Sequence, residues 1–347
     1  MAEEYGTTSC TENTAGEMAG IIYRETDVIP DRIHFIDNRV KDASSILILG
    51  HVRPDGDAVG STLGLYNYLK DNYPDKKLTI CLGNYSEDFK MLSGEDQVLH
   101  ELPKNASFDM AIACDTSSLD RLGDFADAYF QAPRRICVDH HVTNPGYAQE
   151  SVVEAEASSA SEVLYTLLDP ERISLRTAEC LYLGIVHDTG VFKHSTTHRS
   201  TMEIAGILLE KGVSSSQIID GTFYHKTYNQ NQILGQALIN ATLELDGKVI
   251  VSLLSREEMD RYHATSVDLD GIIDQLRVTE GCEIAVLINE SMYGDCKVSM
   301  RSTSTANVSE VASQFGGGGH VKAAGCTVHG KAEEVKKKLL PVIATAL

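Results

Sequence analysis

Acids and histidines recur in four short segments of this 347-residue chain: His51-Val52-Arg53-Pro54-Asp55-Gly56-Asp57, Cys114-Asp115-Thr116, Asp139-His140-His141 and His187-Asp188-Thr189-Gly190. Carboxylate oxygens and imidazole nitrogens are the ligands that divalent transition metals recruit. Four such segments brought together could hold two ions, and a two-metal site points to hydrolysis at phosphorus. Each segment alone has a plainer reading. Pro-Asp-Gly-Asp is a common turn in which Gly56 permits a tight bend. Adjacent histidines also occur on surfaces, and Asp115 or Asp188 singly could cap or turn the chain. Their joint position at the ends of predicted elements favours one metal centre over four unrelated turns.

Those elements follow from the apolar pattern. Short apolar runs at 45–50, 77–82, 110–114 and 135–138 alternate with helical stretches, among them 57–69, where Val59, Leu63, Leu65 and Leu69 keep helical spacing, and 159–168. The alternation predicts an α/β domain over 21–195, with a mostly parallel five-stranded sheet flanked by helices. Ligands gather beyond the carboxyl ends of such strands. His51, Asp115 and Asp139 each follow a strand, so all three reach the same edge. Ala178, Leu181, Tyr182 and Ile185 keep an i, i+3, i+4, i+7 spacing, which makes Asp188 the end of a helix. Residues 1–20 form an acidic extension without apolar period and are expected to be disordered. The first ordered element is expected to be a helix within 21–41.

Residues 196–240 read as a helical connector, and 241–347 as a smaller α+β domain. In it Asp246-Gly247 turns a hairpin, and a second hairpin flanks Gly294. Ser255-Arg256-Glu257-Glu258 opens a helix as a capping box, Asn307 caps another, and a closing helix starts near Lys331. Gly316-Gly317-Gly318-Gly319-His320 presents consecutive backbone N–H groups that suit phosphate oxygens, with Arg301 on the preceding strand as a clamp. A bare glycine run would read as a flexible loop beside a bystander histidine. The capped helix before it and the metal ligands elsewhere favour a phosphate or terminal-nucleotide site.

The charge balance narrows the partners. Fifty acids against 30 bases give a net charge of -20, which disfavours long duplex nucleic acid but leaves room for a short oligonucleotide in a local cationic pocket. The eight cysteines form no Cys-x-x-Cys pair, so neither a disulfide framework nor a thiolate zinc site is expected. With no signal peptide and no apolar run of spanning length, the expected location is the cytoplasm, away from membranes.

Taken together, these motifs resemble the DHH/DHHA1 phosphoesterases, and within that family the nanoRNase group, which degrades short oligoribonucleotides and dephosphorylates 3'-phosphoadenosine 5'-phosphate. The resemblance spans roughly 30–345. It rests on the 51–61 segment ending Ala58-Val59-Gly60-Ser61, on Asp115-Thr116, on Asp139-His140-His141 and on Asp188-Thr189-Gly190-Val191-Phe192. Arg301-Ser302 and the run from Gly316 through His320 to Gly325 complete it. The resemblance implies that His51, Asp55 and Asp115 hold one ion and that Asp57, Asp115, His140 and Asp188 hold another. Asp115 would bridge them. It implies two manganese ions, with magnesium or cobalt as alternatives, and a catalytic part for Asp115 and His141. Asp139 would be structural at the site. Arg301, Ser302, Gly317, Gly318, Gly319 and His320 would bind substrate. His194 departs from the aromatic expected there.

The expected activity is manganese-dependent release of 5'-mononucleotides from RNAs of about two to five nucleotides, and conversion of 3'-phosphoadenosine 5'-phosphate to AMP. The metals would cut while the smaller domain gripped the far end of the substrate. The alternative within enzymes is a phosphodiesterase for cyclic di-AMP or linear pApA, and the alternative outside them a non-catalytic nucleotide sensor. Homodimerisation is left open.

Overall fold

Runs of four or five apolar residues become strands here because both faces of the sheet are covered. The structure, a computed structural model, describes residues 20–103 and 106–347; of the extension expected at 1–20, all but Gly20 lies outside them. The chain divides into two compact units, Met1–His225 and Lys226–Leu347. The stretch 196–240 therefore does not stand apart. Its first helices belong to one unit and its last helix to the other.

In the first unit the order is β1 (Ile21–Tyr23), α1 (Phe35–Val40), β2 (Ser45–Leu49), α2 (Gly56–Asn72), β3 (Lys77–Cys81), β4 (Val98–Leu99) and β5 (Met110–Cys114). Then come α3 (Ala126–Gln131), β6 (Arg135–Asp139), β7 (Glu150–Val153), α4 (Ala160–Thr166), α5 (Leu175–Asp188), α6 (Arg199–Glu210) and α7 (Ser215–Ile218). One seven-stranded sheet runs β1-β7-β6-β5-β2-β3-β4, and all its pairings are parallel. The expectation of five strands is therefore two short. The edge strands β1 and β4 have only three and two residues, too few to display a period. For the same reason a strand, not a helix, comes first.

Side-chain alternation splits the centre of this sheet between two cores. Ile46, Ile48, Ile112 and Val138 pack with Leu63 of α2 and Leu181 of α5. Leu47, Leu49, Ala113 and Cys137 face Phe125 and Tyr129 on the other side. Consecutive apolar residues are what a doubly covered parallel strand requires. Chain order reverses between β2, which leads on to β3, and β5, which lies on its other flank. A crevice opens beyond the carboxyl ends at such a reversal; His51 stands two residues past the end of β2, and Asp115 directly follows β5.

The second unit contains α8 (Tyr228–Ile239), β8 (Thr242–Glu244), β9 (Val249–Leu254), α9 (Arg256–Arg261), α10 (Ile272–Arg277), β10 (Ile284–Glu290) and β11 (Asp295–Ser302). It closes with α11 (Val308–Ser313), β12 (Gly318–His320), β13 (Ala323–His329) and α12 (Ala332–Ala344). Its sheet runs β12-β13-β11-β10-β9-β8, antiparallel except for the β9·β10 pair. Val286, Val298, Met300 and Cys326 pack on one face with Val335 and Leu339 of α12. On the other face Ile250, Ala285 and Leu287 are covered by Ile233, Met259, Ile272 and Leu276 from α8, α9 and α10. That second cover reaches β11 through α10. The hairpins at Asp246-Gly247 and Gly294 form, and Ser255 and Asn307 cap α9 and α11.

Candidate metal centre

The four segments meet at the carboxyl edge of the parallel sheet. His51, Asp55 and Asp115 offer ligand atoms within 4.8 Å of one another, as do Asp57, His140 and Asp188, and as do Asp115, His140 and His141. His51 Nε2 lies 3.5 Å from Asp115 Oδ2. His140 Nε2 lies 3.6 Å from Asp115 Oδ1 and 3.0 Å from Asp188 Oδ2. Asp55 and Asp57 thus serve different groups although one residue separates them, and Asp115 faces both.

Local structure explains how each is held. Asp55 is the N-cap of α2, its carboxylate accepting from the N–H groups of Asp57 and Ala58 at 3.1 Å. A carboxylate is well placed at that helix end. Asp57, fully buried, accepts from the N–H groups of Ala160 and Ser161 at 2.6 and 3.0 Å, the first turn of α4. Asp115 leaves β5 with φ 50°, an uncommon left-handed conformation for a residue other than glycine, while its N–H still reaches Val138 O at 2.9 Å. That turn keeps the carboxylate at the strand end rather than continuing the pleat.

The electrostatics favour cations. Burial, then the Asp115 and Asp188 charges, hold the Asp57 carboxyl well above the usual range. Burial would also raise Asp115, but the imidazoles of His140 and His51 beside it pull it below its ordinary value. Burial opposes a charge on His140, yet Asp115, Asp188 and Asp57 push its pKa up to about 12. A cage that gathers protons so strongly has more negative charge than its own groups balance. Asp115 Oδ1 is buried with no hydrogen-bond partner, and an orphaned buried carboxylate oxygen is costly unless something positive meets it. An all-oxygen-and-nitrogen donor set of this kind fits divalent manganese, magnesium or cobalt.

Asp139 ends β6 fully buried and does not join the three groups. Its Oδ1 accepts from His141 Nδ1 at 2.8 Å and its Oδ2 from Asn144 Nδ2 at 2.7 Å. His141 is therefore oriented with Nε2 as its free ring atom, and Asp139 raises its pKa. Asn144 also donates to Thr116 O at 3.1 Å, bracing the ends of β5 and β6 together. Sequence reading missed Asn144; a lone buried asparagine three residues after His141 carries no recognisable signal. It also missed the α4 N-terminus as the holder of Asp57.

Gly56 has a reason other than the expected one. Its φ is not left-handed; instead, a Cβ there would lie 2.1 Å from Cγ of His187. His187 is half-buried, and desolvation pushes its pKa down to about 4. Thr222 donates to Ile218 O at 2.7 Å, so its Oγ1 accepts from His187 Nε2 at 2.9 Å, fixing a neutral ring against the metal loop. After Asp188, Gly190, Val191 and Phe192 take φ of 56°, 59° and 61°. Three successive left-handed residues, one of them β-branched, are strained. Thr189 Oγ1 accepts from Phe192 N at 2.9 Å and His194 Nδ1 donates to Asp188 O at 3.1 Å, tying the turn to the helix end.

In the second unit the glycine run is not an open loop. The N–H groups of Gly316 and Gly317 are engaged by Ser313 O and Ala312 O at 3.1 and 3.0 Å, closing α11. Gly318–His320 then form the edge strand β12. Register puts Arg301 opposite Ala323, and Ala323 opposite His320, so Arg301 and His320 share a face with one small residue between them. Gly318 is on that face too, through Gly325 and Ser299. Gly319 and Ser302 alternate onto the other, and Ser302 is buried there with its hydroxyl donated to Ser304 O at 3.3 Å. Arg301 Nε is 3.9 Å from Asp274 Oδ1, which Arg277 Nε also contacts at 3.1 Å. Arg277 is a second cation there that sequence reading did not single out.

Comparison with known proteins agrees with both units. The DHH family, N-terminal domain, matches residues 45–185, and the DHHA1 domain matches 246–346. The chain belongs to the DHH family of phosphoesterases. It is 28% identical over 291 residues to the bifunctional oligoribonuclease and PAP phosphatase NrnA of Bacillus subtilis (strain 168), covering 82% of this chain and 90% of that one. It is 29% identical over 301 residues to the probable bifunctional oligoribonuclease and PAP phosphatase NrnA of Streptococcus mutans, covering 85% and 93%. The crystal structure of an exopolyphosphatase-related protein from Bacteroides fragilis superposes with a TM-score of 0.80 at 25% identity, covering 91% of this chain and 96% of that one. Among the described residues no helix is long and apolar enough to cross a membrane.

Proposed function

We propose that this DHH-family enzyme hydrolyses oligoribonucleotides of about two to five nucleotides to 5'-mononucleotides and converts 3'-phosphoadenosine 5'-phosphate to AMP. Both reactions free a phosphorus from a ribose 3'-oxygen, so one centre serves both. The observation that carries the reading is the pair of ligand groups on the two oxygens of the buried Asp115 carboxylate, whose Oδ1 has no hydrogen-bond partner. His51, Asp55 and Asp115 would hold one manganese ion, and Asp57, Asp115, His140 and Asp188 the other. Such ions supply Lewis-acid polarisation of the phosphoryl group and an activated water.

The chain's own residues then divide the remaining work. Asp139 holds His141 through Nδ1, so that Nε2 can deliver a proton to the leaving ribose oxygen. The α4 N-terminus and Asn144 keep Asp57 and Asp139 in place. Arg301 and His320, on one sheet face, bind a substrate phosphate, and the small side chains between them let it approach the backbone.

Product analysis with manganese tests this on linear di-adenylate, a pentaribonucleotide, 3'-phosphoadenosine 5'-phosphate, cyclic di-adenylate and pyrophosphate. Mononucleotide from the dinucleotide, with slower cutting of the pentamer, supports the proposal. Preferred cleavage of cyclic di-adenylate would move the assignment to a cyclic-dinucleotide phosphodiesterase. No turnover of any substrate by metal-loaded protein would move it to a sensor.

A further inference from the structure

The helices that cover one face of the second sheet reach as far as β11, where Asp274 of α10 meets Arg301, and the same face of β11, β13 and β12 is otherwise half-buried or exposed. Pairing defines its rows. Arg301, Ala323 and His320 form one; Ser299, Gly325 and Gly318 form the next; Lys297 and Thr327 form the third. The middle row is nearly without side chains, so a flat group can lie on the backbone. A groove of about 420 Å³ runs from Ser299 and Gly325 of that row to Lys297 and Thr327 of the third, flanked by Gly316 and Gly317.

Gly318 marks the use of this shelf. Gly316 and Gly319 have φ of 74° and 146°, and a Cβ on Gly317 would meet Gly325 O at 2.2 Å, so the fold itself demands glycine at all three. Gly318 has no left-handed φ, and a Cβ there would have no neighbouring atom within 4 Å. The fold does not need a glycine at that position, whereas a ligand lying on the shelf does.

The charges fit a short anionic chain. Arg301 and Arg277 share the single carboxylate of Asp274, leaving a net positive end in a molecule of net charge -20. Lys297 is exposed at the far row and has no carboxylate within salt-bridge distance among the described residues. Four steps along the strand separate Lys297 from Arg301, about 13 Å. Beyond Lys297 the face ends at Asp295, an acid hydrogen-bonded to Ser291 and paired across from His329.

We propose that Lys297 forms a second phosphate subsite, used by substrates longer than a dinucleotide, and that Asp295 closes the shelf against further length. This rests on the short-RNA reading above and specifies what sets the substrate length in it. The test is kcat/KM of Lys297→Ala and of wild type on di-, tri- and pentaribonucleotides across a salt series. A single-stranded phosphate contact contributes about 0.7 to the slope of log affinity against log salt. The expected result is a several-fold fall in the trinucleotide-to-dinucleotide ratio of kcat/KM, with the trinucleotide slope reduced by about 0.7. Lys297→Glu is expected to enlarge both effects. An unchanged ratio in both variants overturns the subsite and leaves the short-RNA reading standing. Failure of wild type to cut any of the oligonucleotides overturns that reading and the subsite with it.

Discussion

The two candidate sites are built in opposite ways. In the first unit each ligand is held by the end of an element: Asp55 caps α2, Asp57 is gripped by α4, and Asp115 leaves β5 in a left-handed turn. His51, Asp57 and Asp115 are buried there, and the residues of the site lie close to one another. In the second unit Arg301, Gly318, His320 and Lys297 share only a face, and several of them are exposed. Burial concentrates field and fixes geometry, which metal chemistry requires. An open face tolerates variable ligands, because its energy comes from charge and shape rather than from a fixed set of bonds. The division teaches that chemistry and substrate choice can be altered separately here.

The strongest break of that contrast is Asp115→Asn, which removes the charge facing both cation groups. Turnover is expected to fall to background on every substrate, and chelation of wild type to do the same, with manganese restoring only the wild type. Next come Asp139→Asn and Asn144→Ala, which loosen supports rather than ligands. Losses of about 10- to 100-fold in activity or metal affinity are expected, as for other partners that orient metal ligands. Arg301→Ala or His320→Ala should raise KM by about tenfold while bound metal, measured by elemental analysis, stays at the wild-type level. Loss of metal in either would show that the two sites are not separable.

The smallest effect is the most discriminating. Gly318→Ala should leave the melting temperature unchanged and raise KM a few-fold. Gly319→Ala, at φ 146° with Ala323 O only 2.5 Å from its Cβ, should lower the melting temperature by about 4 °C or more. Equal melting temperatures for the two would contradict the distinction between a glycine required by the fold and one required by a ligand.

The same contrast explains what could be read from sequence. The first site is legible because His51, Asp115 and Asp139 lie at the ends of apolar runs long enough to be recognised as strands, and a parallel sheet sends them to one edge. Asn144 and the α4 N-terminus are not, since a support is defined by its spatial neighbour and not by its chain neighbours. The strands β1 and β4 are too short to show a pattern. The glycine run misleads differently. Alternation is written in side chains, so a strand made of glycine has no period to read, and an edge strand looks like an open phosphate-binding loop. Gly56 looks like a turn former, whereas its small size is what the structure uses.

That last contact reaches beyond catalysis. With the His187 ring against the place where a Cβ at 56 would stand, and Thr222 holding the ring from its other side, residues 56 and 187 cannot drift independently. A side chain at 56 becomes admissible only once 187 has shrunk, and a smaller residue at 187 leaves a hole until 56 grows. Any lineage that alters one has a narrow evolutionary path, passing through a poorer intermediate or changing both together.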